Sequence, residues 1–168
     1  MPTIELETHI KTDLQTCFDL SRSIDLHKIS TSKTNEKAID GKIKGLINLN
    51  EFVTWHATHF GVRQKLTSKI TAFDFPNHFR DEQQKGIFRF IIHDHFFELK
   101  RDEVTMKDIF KFKAPFGFLG TIAEKFFLNK YLMNLLIERN KIIKEFAETG
   151  KWKTVLMIGN CPKNNIGD

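Results

Sequence analysis

Two histidines, His93 and His95, flank a single residue in a segment whose side chains alternate with the period of a β-strand. Residues two apart on a strand point to the same face of a sheet, so both imidazole rings would lie side by side. Asp81 and Asp108 are expected on the same face in two further alternating segments. A histidine paired with a carboxylate can move a proton during a cyclisation, dehydration or hydrolysis, which makes His93, His95 and Asp108 candidate catalytic residues.

The same side chains allow two other interpretations. A hydrogen-bonded network could fix the register of the strands and orient the polar end of a ligand, and we favour this interpretation over catalysis. His93 and His95, together with His59 or Asp108, could instead supply three metal ligands. Because a chain with seven histidines contains such a pair by chance, and no glycine-rich phosphate-binding motif occurs, the sequence predicts neither a metal nor any other cofactor.

Five alternating segments carry these residues, at 51–60, 62–73, 78–85, 88–99 and 105–114. Gly61, Gly86 and the turn-forming groups 74–77 and 100–103 separate them at hairpin-like spacings, which predicts an antiparallel meander. The lysine-bearing face of 62–73 is expected to meet solvent, so the opposite face is the inner one. The polar residues predicted on the inner face of the sheet are His59, Gln64, Ser68, Asp81, Gln83, His93, His95 and Asp108.

Further elements are expected on either side of the meander. Residues 3–10 alternate and form a first strand, whereas Asp13 and Ser23 are helix N-caps that begin two short helices. A short strand is expected near 37–39. The apolar stripe of 118–148 predicts a helix of about 30 residues, ~45 Å long, that lies against the inner face of the sheet.

The 168 residues are expected to form one α+β domain over 1–150, followed by a C-terminal extension over 151–168. This extension begins with an apolar run, 151–159, that predicts an additional strand and then a flexible tail. Three roles are open for it: it covers a sheet edge, mediates self-association, or is disordered beyond Gly159.

The composition indicates a cytoplasmic protein. Cys17 and Cys161 are not spaced as in a CxxC or zinc motif, and residues 1–5 lack the basic start of a signal peptide. No segment approaches the ~20 consecutive apolar residues of a membrane span, so no stable membrane insertion is expected. The net charge of +5 is not accompanied by an RNA-binding motif with exposed aromatic residues, so nucleic acid is not expected as a partner. The oligomeric state is left open.

Several short stretches resemble members of the START-like superfamily, also called SRPBCC. They are SIDLH at 23–27, GKIKGLI at 41–47, VTW at 53–55, HFGVR at 59–63 and HDHF at 93–96. The resemblance covers residues 3–148 and is to a bacterial branch similar to polyketide cyclases and dehydrases. It implies the helix-grip fold, in which a curved antiparallel sheet, with two short helices after its first strand, wraps around a long C-terminal helix. It also implies a hollow between sheet and helix that takes an apolar or amphipathic small molecule.

The predicted function is therefore binding of a hydrophobic small molecule of the lipid, polyketide or isoprenoid type. The residues expected to contact the ligand are Trp55, His59, Gln64, Leu66, Asp81, Gln83, Phe97, Met106, Phe110, Phe126 and Met133. Two alternatives stay open. One is a cofactor-free cyclase, dehydratase or hydrolase that uses a His–carboxylate pair in the same cavity, and the other is a protein-interaction module with a filled core.

Overall fold

A computed structural model describes residues 2–114 and 127–157 of the chain. The strands predicted within residues 3–114 and the two short helices are confirmed, including the short strand near residue 38. The elements of the described residues are β1 (Thr3–Ile10), α1 (Leu14–Ser21), α2 (Ile24–Ser30), a 3-10 turn (Ser32–Thr34), β2 (Lys37–Gly41), β3 (Phe52–His59), β4 (Val62–Asp74), β5 (His78–Lys85), β6 (Phe90–Lys100), β7 (Glu103–Lys113), α3 (Asn129–Glu148) and α4 (Trp152–Leu156).

The strands form a seven-stranded antiparallel sheet in the order β1-β7-β6-β5-β4-β3-β2. Strands β3 to β7 follow one another as a meander, and β1 returns to pair with β7 at one edge. Register shifts in the β4–β5 pair, between Thr67 and Ser68 and between Ile70 and Ala72, mark bulges. Bulges bend a strand and increase its twist, which gives the sheet a concave face that can wrap around a helix.

Local side-chain hydrogen bonds set the starts of the two short helices. The side chain of Asp13 accepts a bond of 2.8 Å from the backbone N–H of Thr16, and that of Ser23 accepts one of 3.2 Å from Leu26. Each bond satisfies a backbone donor that has no partner within the first helical turn. Both helices therefore begin where the sequence predicts, and they cover one end of the concave face.

The long C-terminal helix α3 packs against the concave face. Leu136 belongs to a buried cluster with Ile4, Ile91, Phe110 and Phe112. Farther along, Ile143 and Ala147 join a second and larger cluster, built around Phe18 of α1 and the ends of the central strands. The helix thus bridges two separate apolar clusters, and the polar residues of the concave face lie between them.

Burial confirms the predicted inner faces. Val53, Trp55 and Ala57 of β3 are buried, as are His93 and His95 of β6. On β7 the buried residues include Met106, Asp108, Phe110 and Phe112, which alternate along the strand. In β6 the other face also buries a residue, Asp94, whose carboxylate pairs with Arg80 and His78, so alternation alone does not orient this strand.

Two expectations about the C-terminal part of the chain have different outcomes. The predicted helix over 118–148 is confirmed for Asn129–Glu148, whereas its residues before 127 lie outside the described part of the structure. The predicted strand at 151–159 is wrong, because Trp152–Leu156 form the helix α4. Val155 is buried in the larger apolar cluster, with Trp152 and Leu156 packed against it, and this spacing of three and four residues suits a helix.

Among the described residues, no helix combines the length and the apolar character needed to cross a membrane.

Candidate ligand-binding site

A cavity of about 230 Å³ lies between the concave face of the sheet and the helices. Most of its wall is apolar. The apolar residues that line it are Ile24, Ile47, Val53, Trp55, Ala57, Leu66, Ile70, Phe79, Ile87, Phe88, Ile91, Phe110, Leu132, Leu135 and Leu136. The polar residues that line the cavity include two groups of charged or titratable side chains. One group lies on the central strands, and the other lies beside β3.

The first group, here called the central cluster, consists of Asp81, His93, His95, Asp108 and Arg139. Strand register brings its sheet members together: Asp81 of β5 is opposite His93 of β6, and His95 is opposite Asp108 of β7. All four point to the concave face, since they occupy inward positions of three neighbouring strands. Asp81, His93, His95 and Arg139 line the cavity, while Asp108 lies behind them with 0% of its surface exposed.

Both histidines of the central cluster bond to carboxylates. His93 Nε2 hydrogen-bonds to Asp108 Oδ1 at 2.9 Å, and His95 Nε2 hydrogen-bonds to Asp81 Oδ2 at 2.9 Å. His95 Nδ1 lies 2.9 Å from Asp108 Oδ1, but the geometry of this pair is not that of a hydrogen bond. Ser68 donates to the other oxygen of Asp81 at 3.0 Å. The result is a continuous polar network across β4 to β7.

Helix α3 supplies the rest of the network. Asn140 Nδ2 donates to Asp108 Oδ2 at 2.7 Å, and Arg139 Nη1 lies 3.4 Å from Asp108 Oδ1. Arg139 also donates to the backbone oxygen of Ser21 at 3.0 Å, so its guanidinium joins α1, α3 and β7. Arg139 is only 7% exposed. A buried charge requires such partners, because an unpaired one is strongly destabilising.

The network fixes the charge states of its members. Burial raises the pKa of Asp81, but the hydrogen bond from His95 and the nearby His93 outweigh it and lower the pKa to about 2. Burial acts the same way on Asp108, where the hydrogen bond from His93, the nearby His95 and the charge of Arg139 hold the pKa well below its usual value. Burial lowers the pKa of His93, and His95 lowers it further. At neutral pH both carboxylates are therefore ionised and His93 is neutral.

The second polar group, here called the β3-side cluster, consists of the lining residues His27, Glu36 and His59, together with Tyr131, which bonds to His59 but does not line the cavity. His27 Nε2 hydrogen-bonds to Glu36 at 3.1 Å, and the ring of His27 lies 4.2 Å from that of Trp55. His59 Nδ1 bonds to the hydroxyl of Tyr131 at 2.7 Å. Burial raises the pKa of Glu36, but His27 outweighs it and the pKa is lowered. Burial lowers the pKa of His59. The cavity thus has polar groups at two separate places.

The structure places the predicted contact residues in three groups. Those that line the cavity are Trp55, His59, Gln64, Leu66, Asp81 and Phe110, together with His93 and His95. Four predicted contact residues do not line the cavity: Gln83, Phe97, Met106 and Met133. Phe126 lies outside the described residues.

The four residues outside the lining pack elsewhere on the concave side. The ring centroid of Phe97 is 5.2 Å from that of Phe18 in the larger apolar cluster, and Met106 Sδ accepts a hydrogen bond from Ser21. Gln83 donates to the backbone of Phe88 at 2.6 Å, and Met133 packs against the smaller cluster. Alternation predicted the correct face for the strand residues, but it does not tell which part of that face borders the cavity.

Sequence reasoning missed four members of the two clusters: His27, Glu36, Tyr131 and Arg139. Arg139 carried a usable signal, since it lies three residues after Leu136 on the apolar stripe of α3. A charged residue within such a stripe indicates an inward partner. His27 and Glu36 are close only because α2 packs beside β2, and nothing in the sequence pairs them.

One subset of the central cluster has the composition of a metal site. Asp81, His93 and His95 each offer one ligand atom, and these atoms lie within 4.8 Å of one another. Of the third ligands considered from sequence, His59 instead bonds to Tyr131, and Asp108 lies behind the histidines.

Comparison with known proteins defines the fold. No protein-family model and no curated protein matches the chain. TTHA0849 from Thermus thermophilus is similar in structure with a TM-score of 0.66 and 12% identity, over 84% of this chain and 97% of that protein. Ginseng major latex-like protein 151 from Panax ginseng has a TM-score of 0.63 and 15% identity, over 87% and 97%. Protein Ms6760 from Mycobacterium smegmatis has a TM-score of 0.64 and 11% identity, over 86% and 89%.

These similarities and the observed topology establish the predicted architecture. The chain has the helix-grip fold, with a curved seven-stranded antiparallel sheet, two short helices after the first strand and a long C-terminal helix. Because one fold hosts many functions, function has to be argued from the cavity.

Proposed function

We propose that the protein binds a compact apolar or amphipathic small molecule in the cavity between the sheet and α3. The observation that carries the proposal is a cavity of about 230 Å³ with mostly apolar walls and convergent polar side chains on its sheet face. Ligand sites in proteins typically combine apolar walls with a few placed polar groups. A protein-interaction module with a filled core is less well supported, because the space between sheet and helix is not filled.

The cavity volume indicates the size of the ligand. About 230 Å³ equals the volume of roughly eight water molecules at ~30 Å³ each. This is slightly below the ~300–1,000 Å³ of typical ligand pockets. The volume suits a molecule of one or two rings, such as a small polyketide or isoprenoid, better than a long acyl chain.

The arrangement of polar groups indicates the orientation of the ligand. An apolar ring would contact Trp55, Leu66 and Phe110, while a hydroxyl or carbonyl group would meet the central cluster. His93 and Asp81 are held by strand neighbours and by Asp108, so they need little reorganisation on binding. A site that is held in place before binding loses less entropy when the ligand arrives.

A small bicyclic alcohol, 2-naphthol, is a suitable first probe, and nuclear magnetic resonance shift mapping locates where it binds. Saturable shifts are expected at Trp55, Leu66 and Phe110. Ala57→Phe projects a ring into the cavity and should weaken binding at least tenfold, or about 1.4 kcal/mol. Thr58→Phe places the same ring on the solvent face of the same strand and should leave binding unchanged. Equal affinity in both variants would contradict the proposed site.

A second candidate function is cofactor-free catalysis of a cyclisation, dehydration or hydrolysis. It is favoured by the hydrogen bond of 2.9 Å between His93 and Asp108 beside the cavity, since neutral His93 could accept a proton from a bound substrate through Nδ1. Turnover of a bound molecule separates the two functions. In an enzyme, His93→Gln should abolish turnover with little change in affinity, whereas in a binding protein it should change affinity and no turnover should occur.

A further inference from the structure

The central cluster brings three possible ligand atoms close together. His93 Nδ1 lies 3.8 Å from Asp81 Oδ2, and His95 Nε2 lies 2.9 Å from the same oxygen. All three atoms are within 4.8 Å of one another, and their residues line the cavity. Zinc bonds of about 2.0–2.2 Å in a tetrahedral site place neighbouring ligand atoms ~3.4 Å apart. The observed separations of 2.9 and 3.8 Å bracket that value, so small side-chain adjustments would create a coordination site.

The remaining polar atoms of these side chains lie close to polar neighbours. His93 Nε2 bonds to Asp108, and His95 Nδ1 lies against the same carboxylate. Ser68 holds Oδ1 of Asp81 and leaves Oδ2 directed at the histidines. Ligating histidines usually have a carboxylate at the second ring nitrogen, which fixes tautomer and orientation. Here a single buried aspartate, Asp108, is placed to do this for both rings.

The charge balance of the central cluster also favours a cation. Asp81 and Asp108 carry two negative charges, of which Arg139 offsets one. Asp108 is fully buried, and Asp81 is largely buried, with 27% of its side chain exposed. Charge that is removed from water requires compensation. A bound cation would supply it at the point where the carboxylate of Asp81 meets the two rings.

We propose that Asp81, His93 and His95 bind a divalent transition-metal ion, with Zn²⁺ as the best match. Two imidazole ligands select zinc and similar ions over Mg²⁺ and Ca²⁺, which prefer oxygen ligands. Three protein ligands leave at least one coordination position open, as in zinc sites that bind water or substrate. That position faces the cavity. The proposal goes beyond small-molecule binding and does not depend on the nature of the organic ligand.

Zinc alone is the probe for the test. Protein without a polyhistidine tag is stripped with a chelator, titrated with Zn²⁺ against a chromophoric competitor, and analysed for metal content. One zinc per chain is expected. Substituting Co²⁺ should give visible absorption bands of a nitrogen- and oxygen-ligated ion, a readout that needs no variant. Wild-type protein that binds no stoichiometric zinc, or cobalt with the spectrum of the hydrated ion, would overturn the proposal.

Variants assign the site to its ligands. Asp81→Asn and His93→Gln each remove one ligand and should weaken zinc binding by more than the 10–100-fold typical of losing a supporting residue. Asp108→Asn removes the supporting carboxylate and should weaken binding about 10–100-fold. His56→Asn removes a histidine from the outer face of β3 and should have no effect. Folding of each variant is checked by circular dichroism. Folded Asp81 and His93 variants that bind zinc as tightly as wild type would refute the assignment.

Discussion

Replacement of Arg139 by methionine tests whether the central cluster depends on a buried charge pair. Methionine keeps much of the length of the arginine side chain but removes the guanidinium, which lies 3.4 Å from Asp108 Oδ1. The carboxylate would keep its bonds to His93 and Asn140 and lose its permanent positive partner. The backbone oxygen of Ser21 would also lose a donor.

The expected cost follows from the distance and the burial. At 3.4 Å and an effective dielectric constant of about 20, the Coulomb energy of the pair is about 5 kcal/mol. Breaking a buried pair by removing one partner typically costs about 3–5 kcal/mol. Because neutral donors still solvate Asp108, we expect Arg139→Met to lower the free energy of unfolding by about 3 kcal/mol.

Urea unfolding at pH 7, followed by circular dichroism, measures this loss. Lys141→Met on the same helix is the matched control, since Lys141 forms an exposed ion pair with Glu138 at 3.1 Å. Exposed pairs contribute about 0–1 kcal/mol. Adding Asp108→Asn to Arg139→Met should restore part of the stability, because the unpaired charge is removed. The reasoning is refuted if Arg139→Met costs no more than Lys141→Met, or if the double variant is less stable than Arg139→Met.

Two further predictions concern other parts of the molecule. The lowered pKa of Glu36 means that the folded state favours the ionised form of this side chain. The ionised carboxylate therefore stabilises the folded state above pH 4.5. This stabilisation is lost as the pH falls through the folded-state pKa. The difference in unfolding free energy between wild type and Glu36→Gln should therefore shrink on acidification below pH 4.5, and a constant difference would contradict this. Asp13→Ala removes the N-cap of α1 and should cost about 0.5–2 kcal/mol in thermal unfolding. Asp102→Ala, in an exposed turn, is its control, and an equal loss in both variants would count against the cap.

The strands and their inner faces could be predicted because each depends on local order along the chain. Alternation places Trp55 and Asp108 on the inner faces of their strands without any knowledge of pairing, whereas it does not by itself orient the strand that carries His93. Alternation cannot give the register between strands, which depends on turn lengths and, in the β4–β5 pair, also on two bulges. The sequence therefore could not decide that His93 is opposite Asp81 while His95 is opposite Asp108.

Contacts between distant segments account for what was missed or wrong. Phe97 and Met106 were predicted in the cavity, but α1 covers that end of the sheet, and they pack beside Phe18 and Ser21. The run at 151–159 was predicted as a strand, because short apolar runs fit a strand and a helix equally well. Packing of Val155 into the core favours the helix. The residues against which Val155 packs are distant in the sequence, so the run alone does not reveal this preference.

Native mass spectrometry of protein freshly purified from its own host tests the central proposal most directly. Wild-type protein and Thr58→Phe should carry a noncovalent mass that denaturing extraction releases into the apolar fraction. Ala57→Phe should carry less of it, because the introduced ring occupies the same space. Wild-type protein at its calculated mass with nothing released on extraction, or an adduct equally abundant in Ala57→Phe, would contradict binding of a small molecule in this cavity.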